Sequence, residues 1–230
     1  MFKKIHFSSI DSTHKWALRN IDSLPPTPLF IHADYQTEGV GLKGDKWIAP
    51  TRTNLLATFV FPLTDDFPLQ NIAQVLAHST ICLLEKLQFS PLFKWPNDLL
   101  LDNKKVGGVM AEVKNQSVFV SIGLNVNMLP KDLALVDQPA TSLLEQQKEY
   151  DLNQFTDMLI NQFENDLYLF KQKGFTPFYK SFASHLAHIG KKASINNQIG
   201  TIKGLNEDGQ LVLLCNNQKK LFATGSLSIL

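Results

Sequence analysis

The sequence predicts an α+β fold with an all-β tail, and three observations carry that expectation. A block of short strand-forming runs between residues 92 and 126 is joined by tight polar turns. Two longer segments, 69–87 and 152–170, flank it with apolar residues at helical spacing. Residues 191–230 hold short strands broken at Asn196-Asn197, at Asn206-Glu207-Asp208-Gly209 and at Asn216-Asn217. No regular strand–helix alternation of a doubly wound sheet is present.

Taken in order, residues 2–7 have the size of a strand. Asp11, Ser12 and Thr13 offer capping oxygens ahead of Trp16, Ala17 and Leu18, so a short helix starts there. The proline-rich stretch 24–28 ends that unit. Residues 29–35 read as a strand, the glycine-bearing 36–47 as a loop, and 54–61 as a second buried strand. Apolar residues at 69, 72, 75, 76, 83, 84 and 87 keep the spacing of a helix. Strands follow at 92–95, 99–101, 106–113 and 117–126, with hairpin turns at Asp102-Asn103 and Lys114-Asn115-Gln116. The connection 128–142, with Pro130 and Pro139, is too long for a simple turn. Phe155, Met158, Leu159, Phe163, Leu167 and Phe170 share one helical face, and a shorter helix is expected at 175–185. The tail reads as a small barrel that is too small to stand alone. The expected division is a larger unit at 1–187 and a smaller one at 188–230.

Charge narrows the function classes. Lys and Arg total 22 against 21 Asp and Glu, so a net charge of +1 draws in neither nucleic acid nor an anionic membrane. Cys82 and Cys215 lack the paired spacing of a zinc or redox motif and read as small buried hydrophobes. The N-terminus has no apolar signal core, and nowhere do 18 apolar residues run together. A soluble cytoplasmic protein is expected. The histidines show no spacing with a carboxylate that suggests a metal site.

Four segments carry possible chemistry, each with a bland structural reading beside it. Gly39-Val40-Gly41-Leu42-Lys43-Gly44 is a literal GxGxxG, but Pro50 follows too soon for the helix that a dinucleotide fold needs. Its glycines allow close backbone approach to a ligand, or simply a surface loop. Lys94-Trp95-Pro96-Asn97-Asp98 presents an amide and a carboxylate just after an apolar strand, or forms only an Asx turn. Lys104-Lys105-Val106-Gly107-Gly108 places a lysine ahead of two glycines, where a ligand can lie flat, or marks a bulge in a hairpin. In Ser121–Asn127, alternation sends Gly123, Asn125 and Asn127 to one face, and asparagines are unexpected there unless they bond a loop or a ligand.

Together and in order, these segments resemble the biotin protein ligases. The resemblance runs through Asp11-Ser12-Thr13, residues 36–47, Lys94–Asp98, 104–112, 122–127 and Gln138–Leu143 to the terminal Thr224–Ile229, essentially the whole chain. It is most specific in the Lys-Trp-Pro-Asn-Asp segment followed by Lys-Val-Gly-Gly-Val. It implies a mixed sheet of class II synthetase type with helices on one side, plus a small C-terminal SH3-like barrel. It also implies a monofunctional ligase without the N-terminal DNA-binding domain of bifunctional members. Two departures stand out. The family's glycine loop reads Gly-Arg-Gly-Arg, whereas this chain has Val40 and Leu42 at the arginine positions; and Ser121 stands where many members have glycine.

The resemblance further implies ATP-dependent formation of biotinyl-5′-AMP, then transfer to a lysine of the biotin carboxyl carrier protein of acetyl-CoA carboxylase. On that basis Lys105 and Asp98 are the catalytic candidates. Ser12, Thr13, Gln36, Gly39, Gly41, Trp47, Lys105 and Gly108 would hold biotin. Val40, Leu42, Lys43, Asn97 and Asn125 would face ATP or the adenylate, with Mg²⁺ near Asn97 and Asp98. A monomer or homodimer is expected. Two alternatives remain open: a lipoate or octanoyl ligase or transferase of the same superfamily, and a weakly active or non-catalytic biotin- or adenylate-binding protein lacking the loop arginines.

Overall fold

The computed structural model describes residues 1–230 apart from Asp66, Gln147 and the side chains of Lys43 and Gln146. In chain order the elements are β1 (Lys3–Phe7), α1 (Thr13–Asn20), β2 (Leu29–Ala33), β3 (Asn54–Pro62), α2 (Ile72–Lys86), β4 (Leu92–Lys94), β5 (Asp98–Leu101), β6 (Lys104–Lys114) and β7 (Ser117–Asn125). Then come α3 (Pro130–Leu133), α4 (Leu143–Gln146), α5 (Leu152–Lys173) and α6 (Thr176–Ser184). The tail holds β8 (Lys192–Ile195), β9 (Gln198–Leu205), β10 (Leu211–Cys215), β11 (Gln218–Phe222) and β12 (Leu227–Ile229).

Seven strands form a mixed sheet in the order β1-β2-β3-β7-β6-β5-β4, parallel only between β1 and β2. The expected turns are present for a local reason. Asp102 and Asn103 have φ of 49° and 61°, and Asn115 and Gln116 have 47° and 55°, the left-handed pairs that join antiparallel strands with the right twist. Ser12 caps α1 by accepting from the Lys15 amide. The expected long connection contains the short helix α3, opened by Pro130. Among the described residues, no helix is long and apolar enough to cross a membrane.

The pleat divides the side chains between two faces. Phe30, Phe59, Phe61, Val118 and Val120 join the main core with α2 and α5. Their neighbours Leu29, Ile31, Val60 and Phe119 point the other way, to Ala17 of α1. The expectation that the helices lie on one side therefore needs correction: α1 packs on the opposite face. An eight-residue helix covers only part of that face, and the remainder is open to form a site.

The tail forms an antiparallel sheet in the order β11-β10-β9-β8-β12. Ala193, Ile195, Ile202, Leu205, Leu211, Leu213 and Cys215 belong to the same apolar cluster as α2 and α5. Polar ties fasten it further. The segment that leads into it is tied to β4: the Phe93 amide donates to the His185 carbonyl at 2.7 Å, and the Ala187 amide to the Phe93 carbonyl at 2.8 Å. Gln74 donates to the Gly209 carbonyl at 2.9 Å, clasping a tail turn to the start of α2.

A buried polar seam joins α2 to α5. Asp166 accepts from Ser79 at 2.7 Å and lies 3.6 Å from His78 Nδ1. Burial disfavours charge on His78, but Asp166 and then Cys82 beside it outweigh that and raise it to about 9.

Candidate active site

The part of the sheet that α1 leaves uncovered forms one wall of a cavity of about 560 Å³. How Lys105 reaches it is a matter of register. Leu99 pairs with Gly107 and Leu100 with Lys105, so β6 carries one residue more than β5 at this point. Strict alternation would send Lys105 and Gly108 to opposite faces. The bulge instead turns Val106 into the core and leaves both Lys105 and Gly108 on the cavity.

Lys105 is held by charge and by an aromatic ring. Its Nζ lies 2.7 Å from Asp98 Oδ1 and 5.6 Å from the centroid of the Trp47 ring. Lys94, at the end of β4, places its Nζ 3.8 Å from Asp98 Oδ2. One carboxylate thus sits between two ammonium groups in a partly buried wall, which leaves an excess of positive charge for an anion. Trp47 in turn lies flat on β7. A Cβ at Gly123 would stand 2.5 Å from Trp47 Cε2, so only glycine lets the ring seat there. Trp47 Nε1 is buried and has no hydrogen-bond partner among the described residues.

The glycine loop folds back on itself and opens no α-helix. The Trp47 backbone amide donates to the Gly39 carbonyl at 2.9 Å, Val40 pairs with Lys46, and a three-residue 3₁₀ turn spans Leu42–Gly44. Val40, Gly41 and Leu42 line the cavity, as do Asp45 and Lys46. Gly39 does not. Its missing side chain makes room for the Trp47 carbonyl, which would lie 2.7 Å from a Cβ. The side chain of Lys43 lies outside the described residues.

Ser12, Thr13 and Gln36 meet at the far end of the cavity. The Thr13 amide and hydroxyl both donate to Gln36 Oε1, at 2.7 and 3.0 Å. That fixes the Gln36 amide so that its NH₂ group is the end left for a ligand. Asn97 and Asn125 also line the cavity. Asn125 is already engaged: it accepts from Asn54 at 3.1 Å and donates to the Thr141 carbonyl at 3.0 Å. The Lys105 amide donates to Pro139 and the Thr141 amide to Lys105, both at 2.9 Å, so the connection after β7 is stitched to the strand bearing Lys105.

For several cavity residues the sequence alone assigns no role, although Gln138 and 224–229 fall in stretches that carry the family resemblance. His14 was set aside with the other histidines, yet it lines the wall beside Ser121. Lys94 lay within a motif without a role of its own. Gly225, Ser226 and Leu227 arrive from the tail sheet, and Leu135–Gln138 from the connection. Nothing local in the sequence marks such long-range arrivals. Among the described residues, no group of three His, Cys, Asp or Glu side chains is placed to hold a metal.

Known proteins resemble this chain in sequence and in fold. The bifunctional ligase/repressor BirA of Escherichia coli is 27% identical over 232 residues, covering 96% of this chain and 72% of BirA. The biotin–[acetyl-CoA-carboxylase] ligase of Paracoccus denitrificans is 27% identical, covering 88% of this chain and 90% of its own length. Among solved structures, the biotin protein ligase of Aquifex aeolicus, in complex with biotin and ATP, superposes with a TM-score of 0.86 at 28% identity. That match covers 100% of this chain and 99% of the other. Residues 6–127, which supply the whole sheet wall and the lysine pair, match the model of the biotin/lipoate A/B protein ligase family, and to that family this chain belongs.

Proposed function

We propose that the chain activates biotin with ATP and transfers it to a lysine of a biotin carboxyl carrier domain. The observation that carries the reading is the Lys105 ammonium, held by Asp98 and Trp47 on a glycine-bearing wall. In the first step a biotin carboxylate oxygen bonds to the α-phosphorus of ATP and the bond to pyrophosphate breaks. Two anions must meet and a third must leave, so a fixed cation at their junction lowers the barrier. Lys105 takes that place. Asp98 orients it, and Lys94 adds charge behind it. In the second step the neutral carrier amine attacks the acyl carbon, the bond from that carbon to the phosphate oxygen breaks so that AMP leaves, and the amine's proton passes to water.

Ser12, Thr13 and the Gln36 NH₂ group would satisfy the ureido ring, whose two N–H groups and carbonyl need partners once buried. Gly41 and Gly108 leave room for the ligand, and Trp47 supplies an apolar wall. Val40, Leu42, Lys43, Asn97 and Asn125 would surround the nucleotide, Asn125 by holding the connection after β7. Asn97 and Asp98 fit Mg²⁺ poorly, because both Asp98 oxygens face ammonium groups. The charge work is therefore assigned to the lysines. We read 188–230 as an SH3-like unit that shares its apolar interior with the larger unit at 1–187, and the setting as cytoplasmic.

Mass spectrometry of a carrier domain incubated with the protein, ATP, Mg²⁺ and biotin tests this. One biotinyl group on one lysine is expected. Modification with lipoate in place of biotin would shift the substrate to that acid. Tight biotin binding with an unmodified carrier would favour a binding protein, a reading motivated by the apolar Val40 and Leu42 at the cavity.

A further inference from the structure

The cavity has a direction, and the register of the sheet sets it. Gly123 of β7 pairs with Gly108 of β6, Gly108 with Asp98 of β5, and Asp98 with Lys94 of β4. Residues directly opposite one another in an antiparallel ladder share a face, so these four form one row along the cavity wall. Neighbouring strands lie about 4.8 Å apart, which makes the row about 14 Å long. Its β7 end adjoins the polar corner of Ser12, Thr13 and Gln36. Thr13 Oγ1 accepts from Thr58 of β3 at 3.0 Å, Thr58 Oγ1 lies 2.9 Å from Ser121 Oγ of β7, and His14 backs Ser121 at 3.0 Å. Lys105 stands over the middle, on Asp98 Oδ1, and Lys94 closes the far end.

Phosphoryl chemistry extends that line. When a carboxylate oxygen bonds to the α-phosphorus, the oxygen that leaves with pyrophosphate departs from the opposite side, roughly in line. A biotin whose ureido ring sits at the β3–β7 corner points its carboxylate along the row to Lys105. The phosphorus it attacks comes next, and the pyrophosphate beyond it, over β5 and β4. The electron pair of the broken P–O bond goes to that group, so a cation is needed there.

Lys94 is free to serve. Its Nζ lies 3.8 Å from Asp98 Oδ2, a looser pair than the 2.7 Å of Lys105, and makes no hydrogen bond among the described residues. Three ammonium hydrogens are thus open to an anion. The corner is positive: burial first, and then Lys94 and Lys191, hold the His188 imidazole below its ordinary range. Lys46, the other lysine that lines the cavity among the described residues, stands exposed on the loop that Trp47 seats over β7.

We infer that Lys94 is a catalytic residue of the first step alone, gripping the pyrophosphate end of ATP while Lys105 serves the carboxylate and the α-phosphate. The inference rests on the reading of this cavity as a biotin-activating site and adds a division of labour between its lysines.

Two half-reactions measured on the full chain test it. Lys94→Ala should slow biotin-dependent pyrophosphate exchange on the order of 10–10²-fold, with a raised KM for pyrophosphate and for ATP and an unchanged Kd for biotin. Transfer from supplied biotinyl-5′-AMP to a carrier domain should keep its original rate, because pyrophosphate has no part in that step. Retained transfer also shows that the variant is folded. Lys94→Arg keeps the charge and should recover most of the exchange. Exchange and transfer slowed to the same extent would mean that Lys94 acts only by supporting Asp98 and Lys105, which overturns the inference and leaves the ligase reading standing. An unchanged KM for pyrophosphate in Lys94→Ala does the same. If the unaltered protein neither exchanges pyrophosphate nor modifies the carrier, the ligase reading falls and this inference with it.

Discussion

The two faces of the seven-stranded sheet differ more than any two elements of the molecule. Along β7, Val118, Val120, Ile122 and Leu124 enter the main core, while Ser121, Gly123 and Asn125 turn to the cavity. On the core side, Phe2, Phe30 and Phe163 surround Phe59 with ring centroids 4.6–4.9 Å away. On the cavity side the neighbours are hydroxyls, amides, a lysine and glycines. The backbone ladder is shared, so the sheet carries the main core on one side and, beside the smaller α1 cluster, the candidate site on the other. A side chain changed on either face should be felt mainly in the property that belongs to it.

The contrast is open to direct attack. Phe59→Ala removes a ring wedged among three others and should lower unfolding stability by about 3–5 kcal/mol in urea titration. Activity per folded molecule at low temperature should stay near the original. Lys105→Ala should do the reverse. Biotin-dependent pyrophosphate exchange should fall on the order of 10²–10³-fold, with stability moving by less than about 1 kcal/mol. Unaltered exchange would remove Lys105 from its role. Gly123→Ala sits between the two, because its methyl group must displace Trp47. A loss of about 1–3 kcal/mol with a red shift of tryptophan emission is expected, together with weaker biotin binding.

The smallest effect concerns pH and belongs to the core face. His78 is raised from 6.5 to about 9 in the folded chain, so its contribution is complete below pH 6.5 and is lost as pH rises through 9. Asp166 is lowered, burial being outweighed by His78, Ser79 and Gln162, so its contribution is lost instead as pH falls through the acid range. Between pH 6.5 and 9.5, stability should decline more steeply in the unaltered chain than in His78→Gln. Parallel decline in both would show that the seam carries no such linkage.

Much of the fold was legible because its signals are local. The left-handed turns at Asp102-Asn103 and Asn115-Gln116 and the capping oxygen of Ser12 are written in adjacent residues. The aromatic stripe of α5 is written at a fixed spacing. The side of the sheet that α1 would take was not legible, because an amphipathic helix states that it needs a partner but not which face supplies it. Within the site, Lys105 and Gly108 were found through their motif, yet alternation would have set them on opposite faces. The bulge that unites them depends on pairing with β5, which single-strand patterning does not report. Gly39 was assigned to the ligand for its glycine character and instead accommodates a carbonyl of its own loop. His14 and Ser121, 107 positions apart in sequence, acquire meaning only as a pair.

The apolar cluster that passes without a break from α2 and α5 into the tail sheet has a consequence for how the molecule comes apart. The buried residues of 188–230 are continuous with those of the larger body, so heat or urea should release both sheets in a single cooperative event. A chain cut after Ala187 would lose the Gly225–Leu227 border of the cavity and at the same moment bare a hydrophobic scar across the larger body. The tail is a keystone, not an appendage.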